Sequence, residues 1–403
     1  VGVQAYPKAY KALKGLRKDN PDHDFRLAYG VEMNLAQKEL NIASSTKGEL
    51  LHEGSYVVFD LETTGLSVEF DHIIEFGGVL IENGKTIKSK QFFIKPPVKV
   101  SSFITKLTGI NDSMLANAKP ISEAMVDMLD FIGDHTLVAH NASFDMDFIQ
   151  QNLRNLNMPK IDNAVVDTLE LSRMMFEGRR AYRLGAIARL LKITYDDGVA
   201  HRADYDAEVL SLVFLEMLRN EQLENLKYVK DLQSLNSSES YAKGRPTHVS
   251  VIAKNQKGLK NIYELITLSH TKFLAQNGSA VAQPRIIKEE LDSRRENLLL
   301  GAGCSSSDVF ENAANKSRED LDQAISYYDY IEIMPLNYYS PQIESGMIAS
   351  EERLIEVIHR IIESATRLNK IIIGSGNVHY NHPNQKVMRD VYISAQGLGG
   401  ARH

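Results

Sequence analysis

Two carboxylates stand two residues apart at the end of an apolar run, in "VVFDLETTG" (residues 57–65). Tyr56, Val57, Val58 and Phe59 read as a strand, and one this apolar is mostly buried. Side chains on a strand alternate, so Asp60 and Glu62 face the same side. Two like charges in a largely buried setting are costly unless something positive lies between them. A strand that simply ran out into solvent at Asp60 would leave the pairing without a reason. Two more acids follow. Asp145 comes just after a strand in "LVAHNASFDMDFI", in the first turns of a helix. Asp206 lies in the helix of "AHRADYDAEVLSLVFLEML", whose apolar stripe is Leu210, Val213, Phe214 and Met217. His201 precedes Asp206 by five positions, which on a continuous helix would put the two on different faces. His201 is therefore expected on the loop entering the helix, leaning over the carboxylates.

Four acids and one histidine are the donor set for two hard divalent cations with a base to activate water. Carboxylates alone suit Mg²⁺ or Mn²⁺ better than Zn²⁺, which prefers histidine and cysteine. A pair of such ions generates hydroxide and stabilises charge in an in-line phosphoryl transition state. Each piece alone has a plainer reading: D-x-E is common, Asn141 and Ser143 are turn formers suited to a helix cap, and most single histidines are surface residues. Their ordered occurrence within one domain-sized stretch points to a metal-dependent nuclease.

The elements that must position these residues read as strands over 55–61, 73–82, 86–95 and 136–140, and helices over 121–133, 144–155, 167–176, 182–191 and 204–218. Strands first and alternation afterwards predict an α/β domain with a mixed sheet. A polar break at 44–54 precedes this unit, and a Ser- and Gly-rich stretch, "SLNSSESYAKGRPTH", follows it. Regular βα alternation beyond residue 247, and a helix and strand ending at Glu32 before the break, imply a parallel sheet or barrel. About five strands lie outside the middle unit, too few to close a β/α barrel. The expected division is a truncated barrel part over 1–50, the acidic domain over 53–222, a linker over 223–247 and the second barrel part over 248–403.

The chain has 403 residues, 43% hydrophobic and 24% charged, with net charge −6. That length allows two or three domains. The acidic balance excludes a protein coated in basic surface, though a local basic groove remains compatible with nucleic acid. No apolar run is long enough for a membrane helix and no signal peptide opens the chain, so no membrane partner is expected. One cysteine, Cys304, makes no internal disulfide, which suits a reducing cytoplasm. The opening "VGVQAYPKAYKAL" starts in mid-pattern, as a fragment of a longer protein would.

The middle unit resembles the DEDDh 3′–5′ exonucleases of proofreading type, through "FDLETTG", "LTGI", "HNASFD" and "HRADYDA". The resemblance implies a ribonuclease H-like fold. It implies metal binding by Asp60, Glu62, Asp145 and Asp206, with His201 as general base, and places Thr63, Leu107, Thr108 and Phe144 beside the terminal nucleotide. Core packing is the alternative role of Leu107 and Phe144. The flanks "YGVEMNL", "THVSVIAKNQKGLKNIYELITLSH", "LLLGAGCSSSDVFE", "YDYIEIMPL" and "GNVHYNHP" resemble a polymerase-and-histidinol-phosphatase (PHP) domain, a distorted β/α barrel here incomplete at its N-terminus. A PHP barrel interrupted by a DEDDh exonuclease resembles the PolC-type family of bacterial DNA polymerase III alpha chains. That resemblance implies a frayed or single-stranded primer 3′ end as substrate, and a sliding clamp and other replisome subunits as partners of a longer parent.

Glu32, Cys304, Asn377 and His379 fall near the C-terminal ends of predicted strands, where barrel sites form. The resemblance makes Glu32, Cys304 and His379 ligands of Zn²⁺ or Mn²⁺, with His248 and Glu332 as further candidates. A small buried residue is the alternative role for Cys304. The family's opening His-x-His segment is missing from the sequence, and its Gly-Asp-Val-His reads Gly376-Asn377-Val378-His379, an amide where a carboxylate is expected. Two alternatives stay open: a free-standing RNase or oligonucleotide-trimming nuclease, and a PHP part that serves only as scaffold.

Overall fold

The computed structural model describes residues 3–276, 282–376, 378–380 and 382–395. They form two mixed sheets packed with helices, and one two-stranded antiparallel ribbon, Leu274–Ala275 with Gln283–Pro284. The first has seven strands in the order Ala43–Ser44, Val165–Asp167, Thr136–Ala139, Ser55–Thr63, Ile73–Glu82, Lys85–Lys95, Lys119–Pro120. Its central strand Ser55–Thr63 is antiparallel to Ile73–Glu82 and parallel to Thr136–Ala139. Alternation sends its side chains into two separate cores. Tyr56 and Val58 pack with Ala207, Val213 and Phe214 of helix Ala203–Leu218. Val57, Phe59 and Leu61 pack with Met128 and Phe148 of the helices on the opposite face. A strand buried on both sides is apolar throughout, and the first polar residue it can tolerate comes at its C-terminal end, where Asp60 stands.

The second sheet has six strands in the order Ile286–Ile287, Gly30–Ala36, Thr247–Ala253, Leu298–Ala302, Tyr330–Ile333, Ile371–Gly374. One finding departs from the parallel barrel expected here, and a second agrees with its having too few strands to close. Thr247–Ala253 is antiparallel to both its neighbours. The outer strands Ile286–Ile287 and Ile371–Gly374 do not pair with each other, so among the described residues the sheet is open. The antiparallel pairing follows from how the chain leaves and returns. It departs after Ala36 and comes back to Thr247 with both legs side by side: the Leu51 amide donates to the Lys227 carbonyl at 3.0 Å and the Val229 amide to that of Glu49 at 2.9 Å. The whole seven-stranded domain thus acts as one hairpin connection, and hairpin connections join antiparallel strands.

The stretch 223–247, expected as a linker from its Ser and Gly content, is packed structure. Val229–Leu235 and Ser240–Ala242 are 3₁₀ turns, and Leu223, Val229, Leu232 and Tyr241 are buried. Its polar side chains replace strand partners. Gln233 Oε1 accepts from the Ile42 amide at 2.7 Å, and Asn236 both accepts from and donates to Leu40. Leu40 and Ile42 belong with the seven-stranded domain's core rather than with the flanking part to which 1–50 was assigned, and Leu51 joins them there. Composition marked this region as polar, but amides and hydroxyls that satisfy buried backbone are polar too.

Helix Ala203–Leu218 sits directly on the sheet at Gly77, which pairs with Asp60 on the neighbouring strand. A Cβ at Gly77 would stand 2.1 Å from the Ala203 carbonyl oxygen. Only glycine lets the helix start so close, and that approach carries Asp206 towards Asp60. Gly77→Ala should force backbone apart, lowering the stability of the domain by about 1–3 kcal/mol and its metal-dependent activity with it. Urea unfolding followed with metal titration checks this; a midpoint and metal affinity equal to the parent's would contradict it.

Candidate metal centre

Asp60 and Glu62 extend the face of Tyr56 and Val58, towards helix Ala203–Leu218. A register shift between Glu62 and Thr63 ends the regular pairing there. Asp145 lies in the first turn of helix Ala142–Asn155, and its Oδ1 accepts from the Leu61 amide at 3.2 Å, between the two strand acids. The helix entry is made by Asn141 in a left-handed conformation (φ 71°), and not by a side-chain cap of its own. Asp167 supplies the cap from the neighbouring strand, accepting from the Asn141 and Ala142 amides at 3.2 and 3.0 Å while also capping the next helix through Leu169 and Glu170. Asp206 is buried at the start of its helix; its Oδ1 accepts from the Tyr195 hydroxyl at 3.1 Å and its Oδ2 from the His201 amide at 2.9 Å.

His201 is exposed on the loop before that helix, with φ 63°. Its ring stands with the carboxylates of Glu62 and Asp206 in a cluster whose donor atoms lie within 4.8 Å of one another. Glu62 belongs to that cluster. Asp145 lies close enough that its charge raises the pKa of both Asp60 and Glu62. Burial, then the crowd of neighbouring carboxylates, holds Asp60 well above the usual range and lifts Glu62 to about 8. Burial likewise raises Asp145 and Asp206. These acids want a positive charge, and the donor set of four carboxylates is the one that hard divalent cations take.

Two groups here were not singled out from the sequence. Tyr195 is one. The other is Glu75, fully buried and paired in register with Glu62. Its carboxylate accepts from Arg202 at 2.8 and 3.1 Å, from the Ala203 amide at 3.0 Å and from Gln91 at 2.6 Å. Glu75 thereby anchors the segment that holds His201, and Arg202, adjacent to His201 in sequence, offers the positive charge that lowers Glu62 against the general rise. The sequence signal was present in "IIEFGG", an acid inside an apolar strand.

The residues expected beside the terminal nucleotide divide. Leu107 is 43% exposed, an apolar side chain left open on helix Ser102–Thr108. Phe144 is half-buried and tilts against Phe148 at 5.0 Å. Thr63 and Thr108 are buried and their hydroxyls serve the backbone: Thr63 donates to the Gly65 carbonyl at 2.6 Å, and Thr108 to that of Ile104 at 3.0 Å.

In the second sheet, Glu32, His248 and Cys304 come together. His248 Nδ1 is 3.3 Å from Glu32 Oε1 and 3.5 Å from Cys304 Sγ. His379 and Glu332 are not in this trio of donor atoms, although His379 lies close enough to Glu32, and Glu332 to Cys304, for their charges to be felt; His248, named above as a further candidate, is seated between Glu32 and Cys304. The reason is register: His248 pairs with Asn34 beside Glu32 on adjacent antiparallel strands, a pairing that a parallel barrel would not produce. Asn377 lies outside the described residues. Burial pushes the Cys304 thiol up to about 11, so it keeps its proton at neutral pH unless a metal displaces it.

Residues 57–214 match the family model RNase_T, described as Exonuclease. The chain is similar to DNA polymerase III PolC-type of Bacillus subtilis (strain 168), 36% identical over 397 residues, and to that of Streptococcus sanguinis (strain SK36), 35% identical over 399. Each match covers 98% of this chain and 27% or 26% of the relative, so the chain spans about a quarter of the curated relatives' length. Among solved structures, one titled as the nuclease domain of 3′hExo, a DEDDh family member, bound to rAMP, is 17% identical over 43% of this chain and 95% of that one, with a TM-score of 0.39.

The raised carboxylates set a direction for pH. The folded metal-free site holds protons that the unfolded chain releases, so its contribution to stability is complete below the ordinary carboxylate range and is lost as pH rises through about 8 for Glu62. In EDTA the melting temperature should therefore fall across this window, and Glu62→Gln should flatten the fall. Saturating Mg²⁺ should raise the melting temperature more at the alkaline end than at the acid end. Thermal denaturation at several pH values checks this, and parallel profiles for parent and variant would refute the assignment of Glu62.

Proposed function

We propose that the domain around the acidic site is a 3′–5′ exonuclease that trims the 3′ end of DNA, the proofreading module of a replicative polymerase of PolC type. The observation that carries this reading is the convergence of Asp60, Glu62, Asp145 and Asp206 from three separate elements, with His201 at their exposed edge. The exonuclease model match over 57–214 and the similarity to PolC-type polymerases along 98% of the chain support it. Divalent ions, Mg²⁺ or Mn²⁺, would be held by the four carboxylates and would supply activation of water and neutralisation of phosphate charge. Tyr195 and the His201 amide orient the Asp206 carboxylate, and the Leu61 amide orients that of Asp145. His201 is exposed to incoming water and within reach of Glu62, a position from which a neutral imidazole can take a proton. Leu107 offers an open apolar surface for the terminal base. The substrate is a frayed or single-stranded primer end; DNA synthesis and contacts with a sliding clamp would belong to the longer parent.

The second site, Glu32 with His248 and Cys304, offers one carboxylate, one imidazole and one thiol, a set suited to a single Zn²⁺ or Mn²⁺. The high thiol pKa makes such binding proton-coupled. We assign this part a mainly structural role.

A mismatched primer–template and a short RNA of the same sequence, each with a labelled 5′ end, test the reading with Mg²⁺ present. Stepwise loss of 3′ nucleotides from the DNA is expected. Asp145→Asn should abolish it, and His201→Ala should lower turnover by about 100- to 10,000-fold with metal affinity kept. Cleavage confined to RNA would favour a free-standing RNase, and parent-like rates in Asp145→Asn would overturn the site.

A further inference from the structure

Two of the elements that carry the acidic site are held from the neighbouring domain, at one turn. Helices Asp308–Asn315 and Arg318–Tyr327 of the flanking domain meet at Asn315–Arg318. On one side this turn grips the loop that follows Asp60 and Glu62. The Asn315 carbonyl accepts from the Val68 amide at 3.1 Å, and the Arg318 amide donates to Glu69 Oε1 at 2.9 Å. On the other side Lys316 grips the helix that carries Asp145. Its ammonium pairs with Asp147 and lies 3.5 Å from the Ser143 hydroxyl, so it contacts positions two residues before and two after Asp145. The turn is itself rigid: Arg360, from helix Glu351–Arg367, donates to the carbonyls of Ala313 and Lys316 and faces Glu69 at 3.7 Å.

Within the seven-stranded domain, the Leu61 amide joins these two elements near the acids by donating to Asp145 at 3.2 Å. Four crowded carboxylates push their supporting elements apart at the site, where that one charged-group hydrogen bond supplements the apolar packing of Phe59 and Leu61 with Phe148. We propose that the turn Asn315–Arg318, with Lys316 at its centre, is a brace that sets the distance between the strand end bearing Glu62 and the helix bearing Asp145, making the flanking domain part of the metal site's framework. Lys316 is a positioning residue on this account. It touches neither ligand, and acts through Asp147 and Ser143. The inference rests on the exonuclease reading of the site.

The direction of the effect separates bracing from simple electrostatics. Removing the Lys316 charge, or reversing it, leaves the area more negative and should by field alone tighten cation binding. Loss of the brace should weaken it. In the full chain, Lys316→Glu should raise the Mg²⁺ concentration for half-maximal 3′ trimming by about tenfold, in line with coupling between contacting residues. Mn²⁺ affinity by calorimetry should fall in parallel, a readout that needs no turnover. Lys316→Met should change both in the same direction by a smaller factor, and the swapped pair Lys316→Glu with Asp147→Lys should return both towards the parent. Unchanged or tighter metal binding in either single variant would overturn the brace. So would a loss of rate that tracks a lowered melting temperature while metal affinity stays constant. A parent chain that trims no 3′ end would instead refute the exonuclease reading, and calorimetry would still decide the brace.

Discussion

The mutual repulsion of buried carboxylates governs this structure. Asp60, Glu62, Asp145 and Asp206 come from a strand and two helices; burial raises the pKa of all four, and neighbouring site acids raise Asp60 and Glu62 further. A fold that kept them apart would be more stable without metal. The arrangement therefore has to be imposed by contacts that have no choice: a backbone amide at Leu61 aimed at Asp145, a glycine at 77 that admits the start of helix Ala203–Leu218, and Asp167 holding the entry to helix Ala142–Asn155. Each is a backbone or near-backbone device, which flexes less than a side-chain contact would.

Glu75 and Arg202 show how charge is managed just behind the site. The fully buried Glu75 still adds to the repulsion felt by Asp60 and Glu62. Its own charge is held by a two-point guanidinium contact and an amide, and the guanidinium also stacks at 5.4 Å on Phe93. Breaking one partner of such a pair would leave a buried charge uncompensated, which is strongly destabilising. The pair is thus a fixed point from which the His201 segment leaves the sheet.

The flanking domain meets this centre from the opposite side. Its sheet stays open among the described residues, with Ile371 66% exposed on the outer strand. One group of its polar contacts with the seven-stranded domain lies near the acids, around Phe70, Glu69 and Asp147. The neck that joins the domains, paired from Leu40 to Val229 and fixed by the buried Arg285 on the carbonyls of Tyr241 and Gly244, is a second attachment. Two attachments at separate points limit how the domains can turn relative to each other.

Much of the site was legible in the residues themselves. Acids at spacings that only a strand end or a helix start would bring to one side, in an apolar context, announce a shared cation, and the element order of the acidic domain follows from period-2 and period-3.6 patterns. The stripe Leu210, Val213, Phe214 and Met217 is buried along one helix, as its spacing requires. What the sequence could not carry was everything set by pairing between distant segments. The antiparallel return at Thr247, and with it the seating of His248 beside Glu32, depends on two chain legs lying side by side across nearly two hundred residues. The polar stretch 223–247 read as a linker because hydrogen bonds to Leu40 and Ile42 leave no trace in local composition. Glu75, Tyr195 and Lys316 gain their roles only from what stands opposite them. Local periodicity determines which face a residue takes, because it is a property of one segment's backbone; which groups meet across that face is decided by tertiary packing, because it depends on the register and approach of segments that share no local sequence.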